Sequence, residues 1–376
     1  MIKAASGSLA QSLAAGAAGT ALLHIERAHI GSQPWRTAHE WIRAATGEEI
    51  SVGEQAGLYF GAPAISFVLH ATRTGRYGKA AATIDAHVTR LVERRLAHVT
   101  ARVERGAPAA FADYDLFRGL TGIAALLVRH VPDAGVLEPI LSHLVRLTCP
   151  ASGGLPGWWV DHDPASTVPT PGGHANLGIA HGAGGILAVL AIALRDGVAV
   201  EGQADAIQRI CACLDQWQQD GEAGPWWPQW ITRADLESGR TWQRGPGRPS
   251  WCYGTVGIAR AQQLAAIALG DTTRQRLAEH ALAACLADPA QLAHLTEPGL
   301  CHGIAGVYQT AWRAAGDALT HDIVACLPAL TAMLHQADSH ADDSLLTGSV
   351  GLALAQHTAT HNTLPHSGWD TCLLIT

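Results

Sequence analysis

The stretch Trp251-Cys252-Tyr253-Gly254-Thr255-Val256-Gly257 returns about fifty residues later as Cys301-His302-Gly303-Ile304-Ala305-Gly306. In both, a cysteine stands just before a Gly-x-x-Gly, and an apolar run follows. The spacing recurs at Gly16-Ala-Ala-Gly19, Gly119-Leu-Thr-Gly122, Gly182-Ala-Gly-Gly185 and Gly348-Ser-Val-Gly351, with a weaker copy at Gly61-Ala-Pro-Ala64. Each copy opens an Ala/Leu/Ile-rich run such as Ile123 to Val128 or Ile186 to Leu190, the pattern of a helix buried on most sides. The segments between copies, for instance Ala204 to Gln218 and Thr273 to Ala287, carry Arg, Asp, Glu and Gln on one side and read as outer helices. Copies lie roughly forty to seventy residues apart, room for two helices and their connections. Glycines at a helix start allow a tight turn and close backbone approach. Seven buried inner helices, each paired with an amphipathic outer one, hide their inner faces by closing into a ring. The expectation is an all-α fold, an α/α toroid of seven inner and seven outer helices, with every inner N-terminus at one end. Residues 1–376 then form a single domain with at most a short insertion around 75–112.

Composition agrees with a large core and narrows the partners. Of 376 residues, 48% are hydrophobic and only 15% charged, and 25 basic against 32 acidic residues give a net charge of −7. No overall positive field for nucleic acid results, so no nucleic-acid partner is expected. The Ala/Leu run near the N-terminus is broken by Ser, Gln and Gly, and Ile186 to Leu194 ends at Arg195-Asp196. These features predict neither a signal peptide nor stable membrane insertion, and a cytoplasmic location. In that compartment the eight cysteines are thiols or ligands.

If every copy's entrance faces one cavity, the residues before the glycine pairs become neighbours. They are Tyr114-Asp115, Asn176 and His181, Arg248 with Trp251-Cys252-Tyr253, and Cys301-His302. Two thiolates and a neutral imidazole form a zinc set, and three protein ligands leave one coordination position open, as catalytic zinc requires. No Cys-x-x-Cys knuckle of the structural kind is present. Taken singly, the same residues also read as two buried cysteines beside a helix-capping histidine.

As an ordered set, Tyr114-Asp115-Leu-Phe-Arg-Gly119, Ala180-His181-Gly182-Ala-Gly-Gly185, Arg248-Pro-Ser-Trp251-Cys252-Tyr253-Gly254 and Cys301-His302-Gly303 resemble the LanC-like lanthipeptide cyclases over nearly the full length. The resemblance implies one Zn2+ held by Cys252, Cys301 and His302. It also implies a dehydrated precursor peptide with its leader as substrate, and the dehydratase and exporter of the same pathway as partners. The activity implied is addition of a cysteine thiol to dehydroalanine or dehydrobutyrine, closing a lanthionine or methyllanthionine ring. A free thiol with pKa about 8.5 attacks an alkene slowly, and zinc binds it as thiolate. His181 is then the acid that protonates the α-carbon. Asp115 orients His181 or takes up the thiol proton, Arg248 stabilises the enolate or holds Asp115, and Tyr253 hydrogen-bonds near the metal.

Other readings stay open. A LanC-like enzyme that adds glutathione shares these residues. A protein prenyltransferase-like barrel also activates a thiol with zinc but needs a basic pocket, and a non-catalytic toroid scaffold needs no metal. His162, between Asp161 and Asp163, suggests a metal site but has no partner at helical spacing, His174 reads as a loop histidine, and Cys149, Cys211, Cys213, Cys285, Cys326 and Cys372 read as packed thiols. The basic stretch Arg90 to Arg105 reads either as a contact for an acidic leader or as a solvated outer face. Trp158-Trp159 and Trp226-Trp227-Pro228-Gln229-Trp230 read equally as walls of a peptide groove and as loop packing.

Overall fold

A computed structural model describes residues 9–130, 134–164, 168–337 and 342–376. The six Gly-x-x-Gly copies and the weaker one at Gly61 each open an inner helix: α1 (Ala17–His29), α3 (Ala62–Ala71), α6 (Leu120–His130), α8 (Ala183–Arg195), α11 (Thr255–Leu269), α14 (Ile304–Asp317) and α16 (Ser349–His361). Six of them lead into a long outer helix: α2 (Trp35–Ala45), α4 (Gly78–Glu104), α7 (Ala134–Leu147), α9 (Gln203–Trp217), α12 (Thr272–Ala287) and α15 (Asp322–Gln336). Inner and outer helices differ as their patterns dictate. In α8 every residue from Ala183 to Ala193 is buried, whereas α12 buries only one face, from Gln275 to Leu286.

Consecutive inner helices touch, and α16 returns to α1, so the ring closes. The loops before the helices close a second ring of backbone hydrogen bonds. Leu13 N–H donates to Tyr59 O, Tyr59 to Phe117, Leu116 to Ala180, Ala180 to Cys252, Cys252 to Cys301, Cys301 to Leu346, and Leu346 to Ala14, at 2.8 to 3.4 Å. All inner N-termini therefore lie at one end, which is the mouth. The second glycine of the motif makes this possible: a Cβ at Gly257 would strike Trp251 O, and one at Gly306 would strike Leu300 O.

The interval 75–112 holds a 3-10 turn, the 27-residue α4 packed on α3 and α7, and the one-turn α5 (Phe111–Tyr114). The basic stretch on α4 is largely turned to the protein's own backbone: Arg94 donates to Val52 O, Arg95 to Glu54 O and Ala56 O, and Arg102 pairs with Asp113 at 2.9 Å. Arg90 and Arg105, towards the two ends of the stretch, remain exposed.

Small sheets decorate the rim. Strands β1 (Val160–His162), β2 (Pro169–Asn176) and β5 (Trp230–Thr232) form one antiparallel sheet, and β3 (Gln219–Asp220) pairs with β4 (Pro225–Trp226). Helices α10 (Arg233–Ser238) and α13 (Pro289–Leu292) complete the connections. Trp158, Trp159 and Trp227 are buried and pack loops onto the ring, Trp226 is buried but borders a surface pocket with Gln219, Arg240 and Gln243, and Trp230 is half-buried with its ring 6.0 Å from that of the exposed Trp242.

After α16 the described chain turns inward. Trp369, Asp370, Cys372, Leu373 and Ile375 are fully buried inside the ring. Tyr59 Oη donates to Cys372 O, Trp251 Nε1 to Leu373 O, and Arg260 Nε to Ile375 O, while Arg129 and Arg195 reach Thr376 O. Glu26 accepts the backbone N–H groups of His366 and Ser367, tying the last segment to α1.

Candidate active site

The repeat places the chemistry by arithmetic. Two residues before the first glycine stand Ala180, Cys252 and Cys301 in the fourth to sixth copies; one residue before it stand His181, Tyr253 and His302. Neighbouring loops are bonded in register, so Cys252 N–H on Cys301 O at 3.3 Å sets the two thiols side by side. The ligand atoms of Cys252, Cys301 and His302 all lie within 4.8 Å of one another, and among the described residues no other His/Cys/Asp/Glu group of three does so.

The Cys252 Sγ to His302 Nδ1 distance is 3.5 Å. A tetrahedral ion with usual Zn–S and Zn–N lengths sets that edge at about 3.6 Å. The donors thus fit zinc in number, softness and spacing. Without metal, hydrogen bonds from the Cys301 thiol and from His302 and Ser250 hold the Cys252 thiol well below its usual value despite burial. Cys301 is raised by that same hydrogen bond and by burial, and His302 is raised by its bond to Cys252.

His181 stands at the next loop. Its Nδ1 lies 2.8 Å from Oδ2 of Asp115, a carboxylate with no exposed side-chain surface. The other oxygen of Asp115 accepts the N–H groups of Arg118 and Gly119 at 2.7 Å, ahead of α6. One carboxylate therefore ties the loop before α6 and fixes an imidazole. The His181 ring stacks on Phe117 at 4.8 Å, meets Phe111 edge-on at 5.8 Å, and lies 5.9 Å from the Tyr253 ring. Tyr253 accepts a hydrogen bond from Asn176 Nδ2 at 3.4 Å, and burial, with the charge of Cys252, keeps its phenol protonated.

Arg248 is also at the mouth, but its ion pair is with Glu297, 2.9 Å away, not with Asp115. Glu297 escaped notice in the sequence although a signal existed: both residues stand six positions before their glycine, at 254 and 303. Asn176 holds the same position before Gly182. His162 and His174 both pack on Phe111, beside His181 but one ring removed from it. Of the remaining cysteines, Cys211, Cys285 and Cys372 are buried, Cys213 and Cys326 half-buried, and Cys149 is exposed and not a packed thiol.

A closed seven-repeat α/α toroid with a two-thiol, one-imidazole cluster at its mouth defines a class, and comparison with known proteins agrees. The chain belongs to the family described as "Lanthionine synthetase C-like protein", whose profile matches residues 7–374. One relative is "Nisin biosynthesis protein NisC" of Lactococcus lactis subsp. lactis, 24% identical over 205 residues, 52% of this chain and 48% of that protein. The aligned stretch thus spans about half of that relative. A solved structure of "Nisin cyclase" superposes with a TM-score of 0.84 over 98% of this chain and 92% of the other, at 18% identity, which shows a shared fold.

Proposed function

We propose that the protein is a zinc-dependent lanthipeptide cyclase, acting on a dehydrated precursor peptide that still carries cysteines. The observation that carries this reading is the side-by-side placement of Cys252, Cys301 and His302, one loop away from the Asp115–His181 pair. The similarity to a nisin cyclase supports it. Zinc bound there supplies a site at which a substrate thiol is held as thiolate.

The chain's own residues then handle protons and charge. Asp115 takes the Nδ1 side of His181, which leaves Nε2 as the nitrogen that exchanges a proton with the substrate α-carbon. Burial of Asp115 and the rings of Phe111 and Phe117 hold the imidazole against rotation. Tyr253 remains protonated and is thus a donor for the amide oxygen on which negative charge develops. Cys252, Cys301 and His302 would hold the ion, and as two thiolates and a neutral imidazole they would balance its charge, leaving a substrate thiolate electron-rich. No atoms are lost: the S–C bond forms as the C=C bond is reduced to a single bond, and the thiol proton is matched by one delivered to carbon.

The test is metal analysis of the purified chain and of Cys301→Ala, followed by incubation with a dehydrated cysteine-containing peptide and a count of alkylatable thiols. Zinc near one per chain, its loss in the variant, and disappearance of thiols at constant peptide mass are expected. Persistence of every thiol despite full zinc overturns the cyclase in favour of a scaffold. A mass gain only when glutathione is supplied points to intermolecular addition.

A further inference from the structure

The pair Arg248–Glu297 lies against the proposed metal ligands without belonging to them. Glu297 divides its two oxygens: Oε1 takes Arg248 Nη1 at 2.9 Å, while Oε2 faces His302 Nε2 at 3.7 Å. The other ring nitrogen of His302, Nδ1, faces Cys252 Sγ at 3.5 Å. An imidazole offers a metal only one nitrogen, and a carboxylate on the opposite N–H fixes its tautomer and orientation. Side chains here are 30 to 41% exposed, so neither imidazole nor carboxylate is held by burial. Arg248 supplies the constraint, because a guanidinium keeps its charge and direction at any working pH. Glu297 is also anchored through its backbone, whose carbonyl accepts Ile304 N–H at 3.2 Å at the start of α14.

We propose that Glu297 is a positioning residue for His302, and that Arg248 acts on the metal centre through Glu297 instead of through the substrate. This rests on the reading that Cys252, Cys301 and His302 hold zinc. It gives Arg248 a different task from the enolate stabilisation that its place in the sequence suggests. The adjacent-repeat register explains how the three residues meet, since Arg248 and Glu297 occupy one position of neighbouring copies whose loops are joined at Cys252 and Cys301.

The experiment measures metal binding by the full chain, by competition with a chromophoric chelator, and the absorption spectrum of the cobalt(II)-loaded protein. Glu297→Gln should weaken zinc binding about 10- to 100-fold and shift the cobalt bands. Arg248→Gln should act in the same direction with a smaller effect, and the double variant should bind no more weakly than Glu297→Gln alone. Unchanged zinc affinity and cobalt spectrum in Glu297→Gln, or effects of the two substitutions that simply multiply, overturn the proposal. Should Glu297→Gln fail to fold, Arg248→Gln carries the test, and an unperturbed cobalt spectrum in it also overturns the proposal. Wild-type chain that binds zinc but leaves all peptide thiols in place sinks the cyclase reading alone. Wild-type cyclisation together with an unaltered Glu297→Gln affinity sinks this one alone.

Discussion

Asp115 shows how much one side chain carries. With one oxygen on two N–H groups before α6 and the other on His181, it joins the folding of that loop to the placement of the imidazole. Substitution separates the two. In Asp115→Asn the amide oxygen still accepts the backbone donors, so stability should change by less than about 0.5 kcal/mol. Its NH2 group then faces Nδ1 as a donor, so the ring can no longer carry protons on both nitrogens as it must to cycle one through Nε2, and thiol consumption should slow about 10²- to 10⁴-fold. Asp115→Ala should also leave the Arg118 and Gly119 N–H groups without their acceptor, at a cost of about 1 to 3 kcal/mol. Urea melts and thiol titration read the two effects independently, and a strongly destabilised Asp115→Asn would show that the carboxylate charge serves folding first. The Asp115–His181 pairing was legible from the motifs, whereas Glu297 was not, because a glutamate in a Pro-Gly loop looks like any solvated acid until the repeat is set in register.

At the scale of the element, glycines within one helix divide by what surrounds them. Gly306 in α14 sits where a Cβ would strike the Leu300 carbonyl, while around Gly316, in the same helix, nothing lies within 4 Å. Gly306→Ala should therefore destabilise by about 1 to 3 kcal/mol through overpacking, and lower zinc retention because Leu300 adjoins Cys301. Gly316→Ala should be neutral or stabilise by up to about 1 kcal/mol. Denaturant midpoints of the two variants check this, and equal midpoints would contradict it. The repeated spacing, a sequence property, announced the inner helices. The tryptophan-rich loops could not be assigned the same way, since an indole suits a groove wall and a packed loop equally.

For the whole molecule, closure is the dominant fact. The chain's last segment fills the ring and is pinned by Asp370, whose side chain is fully buried against Arg313 at 2.7 Å and Gln309 at 2.7 Å. Removing one member of such a pair leaves an uncompensated buried charge, so Asp370→Ala should cost about 3 to 5 kcal/mol. Limited proteolysis should then release the final residues before the rest of the chain is cut. Wild-type-like melting with a protected C-terminal segment would show that the ring stands without its filling. Among the described residues no helix is long and apolar enough to cross a membrane.

By itself the sequence determined what is written in periods: the inner helices, their order, the glycine contacts that let loops pack, and which thiols and imidazole stand at equivalent places in neighbouring copies. These are local or repeated signals, carried by residue type at fixed spacing. Tertiary structure decided which loops are neighbours and therefore which charges meet. It turned Arg248 to Glu297 instead of Asp115, turned Arg94 and Arg95 of α4 to backbone carbonyls, and folded the last residues into the ring. Contacts between residues far apart in the chain depend on ring closure, which no single repeat encodes, because each copy buries its faces only against the next.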